Sequence, residues 1–376
     1  MNAFTFRDHI VKNYERFSRS FVRIAADDIS RVVDDEYAKS RYWPEPLIQI
    51  NPNYKPASTT RELADASVLH PTTAKIFRGR DKSTGEPIPL RLHKHQQDAL
   101  AIAQMGRSYV VTTGTGSGKS LAFFIPVVDR ILKAREADPT PRTRAIIIYP
   151  MNALANSQAE EIGKFLENLG PNENGPTFAR YTGQESQPER DRIAINPPDI
   201  LLTNFMMLEL ILTRYEDVDR KVVELCQGLE FLVMDELHTY RGRQGADVAM
   251  LVRRLRQRLK AGSLQCIGTS ATMSSTGSAE DQKRTVSEVA SKLFGTPVAE
   301  TDVIDETLER ATDPSIGLEA VKPLLAKRVG EAVTGWPDLD AFRSDPLAVW
   351  TELTLGLDMN LESAVGKRMR GASGSG

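Results

Sequence analysis

Residues 109–124 read Tyr-Val-Val-Thr-Thr-Gly-Thr-Gly-Ser-Gly-Lys-Ser-Leu-Ala-Phe-Phe. An apolar run, a glycine-rich turn and a Gly-Lys-Ser that opens an apolar helix are compatible with few folds. The run has to be a buried strand, the turn needs backbone angles that glycine adopts cheaply, and the helix must pack back across a parallel sheet. The loop so formed, Thr113, Gly114, Thr115, Gly116, Ser117, Gly118, Lys119 and Ser120, lets backbone N–H groups converge on phosphate at the positive end of a helix. Lys119 is expected to reach the β- and γ-phosphates of ATP, and the Ser120 hydroxyl to ligate Mg²⁺. The spacing follows GxxxxGK[ST] except at Thr113, which replaces the first glycine.

A second stretch, Leu229-Glu230-Phe231-Leu232-Val233-Met234-Asp235-Glu236-Leu237-His238, is an apolar strand ending in two carboxylates. At the C-terminal end of a parallel strand, Asp235 would face the phosphate loop and hold Mg²⁺. Glu236 could take the proton of an attacking water, and His238 could respond to the γ-phosphate. A strand-end Asp capping a helix is the plain alternative, and the phosphate loop upstream weighs against it.

Around these landmarks, apolar runs at 109–112, 145–149, 178–181, 200–203, 231–234 and 264–269 alternate with helical stretches. That pattern predicts an α/β domain with a parallel sheet covered on both faces, over residues 90–312. The 376 residues leave room for two to three domains at about 150 residues each. A mostly helical accessory region is expected over 1–89, where Phe6, Ile10, Tyr14, Phe17, Phe21 and Ile24 recur at helical spacing before a proline-rich connector. A helical segment is expected over 313–370, and a flexible tail over 371–376.

Lysines and arginines number 48 against 50 acidic residues. That excludes a histone-like polycation but not a local basic track. No apolar run nears the roughly 20 residues that cross a membrane, and the N-terminus lacks a leader's apolar core. Cys226 and Cys266 stand alone without metal-ligand spacing. A cytoplasmic protein with no membrane contact is the expectation.

Together the motifs resemble the first RecA-like domain of a superfamily 2 helicase of the DExH type. Asp235-Glu236-Leu237-His238 is similar to the DExH box, and the Thr113 loop to motif I, in which Ala or Thr commonly replaces the first glycine. Ser270-Ala271-Thr272 resembles the SAT motif, which couples the nucleotide to the strand, and Gln96 resembles the adenine-reading glutamine. The stretches at 149–158, 181–183 and 202–208 resemble the loops that grip one nucleic-acid backbone. The resemblance thereby implies contacts from Pro150, Asn152, Thr182, Gly183, Thr203 and Asn204. More narrowly, 235–259 resembles the corresponding stretch of MrfA-like bacterial DNA helicases, some of whose relatives belong to anti-phage defence systems.

What this implies is an ATP-dependent helicase or translocase acting on single-stranded or duplex DNA, with defence or repair proteins as partners. Such a motor closes ATP between two RecA-like domains, the second supplying an arginine finger worth about 10³ to 10⁵ in rate. No second sheet pattern follows Thr272. The chain is therefore expected to be the N-terminal half of a motor, with weak or no turnover until a second domain joins it in cis or in trans. An RNA-directed DExH helicase and a non-hydrolysing, nucleotide-gated binding module are the alternatives.

Overall fold

The computed structural model describes residues 3–21, 24–39, 43, 53–81, 83–114, 116–171, 173–271, 278–331, 335–360 and 365–368. Seven strands form a wholly parallel sheet: β1 (Tyr109–Thr112), β2 (Ala145–Tyr149), β3 (Phe178–Arg180), β4 (Ile200–Asn204), β5 (Phe231–Met234), β6 (Gln265–Thr269) and β7 (Val303–Asp305). Their spatial order is β7-β1-β6-β5-β2-β4-β3. The register places Val110 beside Gly268 and Val303, and Ile147 beside Val233 and Leu202.

Because side chains alternate along a strand, each apolar run supplies both faces of the sheet. Val110, Ile146, Ile148, Leu232 and Met234 point into one core, beneath the helices Phe205–Thr213, Gly242–Arg258 and Ala279–Phe294. Tyr109, Val111, Ile147, Tyr149 and Val233 point into the other, beneath the helices Lys94–Gln104, Leu121–Ala137 and Asn152–Leu166. The fold is α/β and RecA-like, as the sequence predicts. The strand at the far edge, β7, lies beyond the apolar runs that the sequence singles out and pairs with β1.

One compact unit spans Pro52–Arg370 and a second is centred on Met1–Asn51, so the division falls inside the expected 1–89 region. Residues 53–93 are built into the sheet unit. Strand Pro56–Thr59 pairs antiparallel with Arg91–His93, Asn53–Tyr54 pairs with Leu308–Glu309, and Leu63, Leu69, Ile76 and Phe77 are buried in the second core. Burial of those four side chains, together with the antiparallel pairings, attaches this segment to the domain. The smaller unit holds two helices, Ala3–Ser20 and Asp27–Ala38, joined by Ser18 Oγ to Tyr37 Oη at 3.2 Å and by the Arg19–Asp34 ion pair. Much of the proline-rich connector, 44–52, lies outside the described residues, as do 371–376.

The C-terminal segment departs from the expected helix over 313–370. Helices Leu318–Gly330, Leu339–Ser344 and Pro346–Thr351 are followed by a π-helical turn, Glu352–Gly356, and then by an antiparallel strand pair, Leu357–Asn360 and Val365–Arg368. The reason is a contact between residues distant in sequence. The Glu352 carboxylate accepts the Ala311 N–H at 2.7 Å and the Thr312 N–H at 2.8 Å. This ties the turn to the end of Leu308–Glu309, against which Val365–Arg368 then pairs.

Candidate nucleotide and strand site

A parallel sheet delivers the C-terminal ends of all its strands to one edge, where ligands of open α/β folds bind. Three adjacent strands, β1, β6 and β5, bring the phosphate loop, Thr269-Ser270 and Asp235-Glu236 to that edge. With strands about 4.8 Å apart, the loop and the acidic pair lie about 10 Å from each other with β6 between them.

The loop is held from outside and within. Gly116 and Gly118 take φ of +80° and +73°, and a Cβ on Gly118 would come 2.6 Å from Gln96 Nε2. Gln96 is 3% exposed; its Oε1 accepts the His93 N–H at 2.9 Å and its Nε2 donates to the Gly118 carbonyl at 3.0 Å. In this arrangement Gln96 ties the phosphate loop to the start of its own helix. His95, fully buried, adds a bond from Nε2 to the Ser117 carbonyl at 3.0 Å. A carbonyl can only accept, so this ring nitrogen carries the proton. Burial pushes the His95 pKa down to about 4. Thr113 earns its place by its hydroxyl, 2.6 Å from Ser117 Oγ, a contact that a glycine could not make. On the β7 side, Gly114 N–H donates to Glu306 Oε2 at 3.0 Å, and Thr112 Oγ1 to Asp305 Oδ1 at 2.6 Å.

Lys119 Nζ is buried and makes no hydrogen bond among the described residues. A buried ammonium without acceptors is costly, and a phosphate at the loop would supply them. Ser120 stands at the start of the helix Leu121–Ala137 with no capping bond from its side chain, so its hydroxyl can meet a metal beside that phosphate. Thr115 lies outside the described residues.

Across β6, Asp235 and Glu236 end β5. Burial raises the Asp235 pKa, opposed by a hydrogen bond from Thr269 and the nearby Lys119 ammonium. Glu236 adopts a left-handed backbone, φ +54° and ψ 55°, and its N–H donates to Thr269 Oγ1 at 3.1 Å. Its carboxylate Oε2 lies 3.1 Å from His238 Nδ1, and that nitrogen is 3.4 Å from Ser270 Oγ. Ser270 is fully buried, and its N–H joins β6 to β1 through the Val111 carbonyl at 2.9 Å. Ala271 follows at the same strand end, and Thr272 lies outside the described residues. Oxygen donors of this kind suit Mg²⁺.

The expected strand-gripping loops also reach this edge, at the ends of β2, β3 and β4. Pro150 and Asn152 follow β2, and Asn204 ends β4, directly opposite Tyr149 in the register. Asn204 knits the three loops together. Its Nδ2 donates to Asn152 Oδ1 at 2.6 Å and to the Thr182 carbonyl at 3.0 Å, while its Oδ1 accepts the Met207 N–H at 2.7 Å. Thr203 is fully buried, with its hydroxyl on the Tyr181 carbonyl at 2.7 Å, so it supports the loops from beneath and does not face solvent. The N–H groups of Thr182 and Gly183 converge on the Glu185 carboxylate at 2.6 and 3.0 Å.

Sequence reasoning missed Thr269, His95, Glu185 and Glu306. All four touch motif residues through their side-chain polar atoms, and only Thr269 carries a sequence signal, its place one residue before Ser270.

Comparison with known proteins agrees with this geometry. The family profile described as DEAD/DEAH box helicase matches residues 93–280, half of the chain. The uncharacterized ATP-dependent helicase YprA of Bacillus subtilis strain 168 is 34% identical over 44% of this chain and 20% of its own length. The Druantia protein DruE of Escherichia coli strain UMEA 4076-1 is 26% identical over 72% of this chain and 20% of its own. The chain thus spans about a fifth of these relatives. The crystal structure of the DUF1998 helicase MrfA bound to DNA superposes with a TM-score of 0.51 at 26% identity, covering 71% of this chain and 31% of that one.

Proposed function

Because the chain belongs to the DEAD/DEAH box helicase family, we propose that it is the ATP-binding half of a motor that holds ATP with Mg²⁺ and one strand of DNA. The observation that carries this reading is the unpartnered Lys119 ammonium over a clamped phosphate loop, with two carboxylates two strands away.

In this reading the loop N–H groups and Lys119 bind the β- and γ-phosphates, while Ser120 and Asp235 hold Mg²⁺. When bound, the metal neutralises charge developing on the phosphoryl oxygens. Glu236 accepts a proton from water as the water oxygen attacks the γ-phosphorus and ADP leaves. His238, within reach of both Glu236 and Ser270, links the acidic turn to the end of β6. We assign the strand contacts to Pro150, Asn152, Thr182, Gly183 and Asn204, the Thr182 and Gly183 N–H groups becoming donors to a phosphate once Glu185 releases them; such contacts position a strand without reading its sequence. A second RecA-like domain, in cis or in trans, closes over the nucleotide and supplies the finger. DNA is preferred because a solved relative, MrfA, is bound to DNA. Similarity to the Druantia protein DruE supports a place in a defence system, and repair is the other setting of this reading.

The test is steady-state ATP hydrolysis with and without single-stranded DNA, beside the Glu236→Gln variant. With a second RecA-like domain supplied in trans, DNA-stimulated hydrolysis that falls about 10²- to 10⁴-fold in the variant is expected, the range of a lost general base, while the chain alone is expected to show weak or no turnover. An unchanged rate in Glu236→Gln contradicts the assignment, and stimulation by RNA alone transfers the reading to an RNA-directed motor.

A further inference from the structure

We propose that Thr269 is a positioning residue that sets the carboxylate of Asp235 for Mg²⁺, an inference that rests on the metal-holding role given to Asp235 above. Thr269 Oγ1 is fully buried, donates to Asp235 Oδ1 and accepts the Glu236 N–H at 3.1 Å. A carboxylate can only accept and an amide N–H can only donate. A hydroxyl does both from one atom, and valine, its near-isostere, does neither.

The bridge fixes one oxygen of Asp235 and leaves the other for the metal. It also holds the Glu236 amide in its left-handed turn, a conformation that a non-glycine residue adopts only when its surroundings enforce it. The anchor is rigid. β6 is paired on both sides, the Ser270 N–H bonds Val111 at 2.9 Å, and a Cβ on Gly268 would come 2.2 Å from Leu237 Cδ1. Strand β6 and the acidic turn are therefore in direct contact, and Thr269 is the polar tie that reaches Asp235 and the Glu236 amide. Groups that orient a metal ligand from behind typically change metal affinity 10- to 100-fold when removed.

The experiment measures the Mg²⁺ concentration for half-maximal binding of a fluorescent ATP analogue, together with the unfolding midpoint, for wild type, Thr269→Val, Thr269→Ser and Asp235→Asn. The inference predicts a Mg²⁺ requirement raised about 10-fold or more in Thr269→Val, one close to wild type in Thr269→Ser, and little Mg²⁺ dependence in Asp235→Asn. Should Thr269→Val not fold, Thr269→Ala is read the same way. A Thr269→Val requirement equal to wild type, beside an impaired Asp235→Asn, overturns the role of Thr269 alone. Equal impairment in Thr269→Val and Thr269→Ser shows a packing role and also overturns it. A wild-type Mg²⁺ response in Asp235→Asn removes the metal reading and this inference with it.

Discussion

His95 is a residue whose chemistry follows from burial more than from any motif. Its Nε2–H bonds the Ser117 carbonyl inside the loop, and its Nδ1 has no partner among the described residues. Its pKa is held near 4 in the folded chain, against about 6.5 when unfolded. Above pH 6.5 the ring is neutral in both states and pH has no effect through it. As pH falls from 6.5 towards 4 the unfolded chain binds a proton that the folded chain refuses, and stability is lost across that window. At about 1.4 kcal/mol per pKa unit, the loss is roughly 3 kcal/mol. Chemical denaturation at pH 7 and pH 4.5 should therefore show a smaller difference for His95→Gln than for wild type. An equal difference would assign the acid sensitivity to other groups. Nothing in the string Leu-His-Lys-His-Gln marks His95 as the buried one, because burial depends on the loop folding over it. Gln96 was legible from its place in the motif, but its amide faces the loop carbonyls.

Among the elements, the approach of β6 to the acidic turn couples two residues. Leu237, at the open position of the DExH box, is fully buried against the bare backbone of Gly268. The two choices are coupled: a larger side chain in the turn needs a strand residue without a Cβ. Gly268→Ala should cost about 1–3 kcal/mol by overpacking, and Leu237→Ala in the same chain should recover part of that cost, a non-additivity that a double-mutant cycle in denaturant measures. Strictly additive costs would show that the two side chains do not compete. The strands themselves were legible because buried parallel strands are near-continuous apolar runs; the expected 109–112, 145–149 and 231–234 coincide with β1, β2 and β5. The strand pair over 357–368 was not legible, because it depends on Glu352 reaching back to Ala311 and Thr312, a link between residues about 40 apart in sequence.

At the scale of the whole molecule, one parallel sheet brings the phosphate loop, Thr269-Ser270 and Asp235-Glu236 to the ends of β1, β6 and β5, and the loops proposed to hold a strand to the ends of β2, β4 and β3. The strand order that does this was not legible in the sequence, although the motifs themselves were. The attachment of residues 53–93 to the sheet unit was not legible either, since it rests on antiparallel pairings and on apolar residues too few for a periodic signal. Among the described residues, no helix is long and apolar enough to cross a membrane. The central claim, that this edge binds Mg²⁺ and ATP through the unpartnered lysine, is tested most directly by equilibrium titration of a fluorescent ATP analogue with Mg²⁺, comparing wild type with Lys119→Ala. The account predicts saturable, Mg²⁺-dependent binding by wild type and its loss in the variant at an unchanged unfolding midpoint. Binding of equal strength in both chains would contradict it.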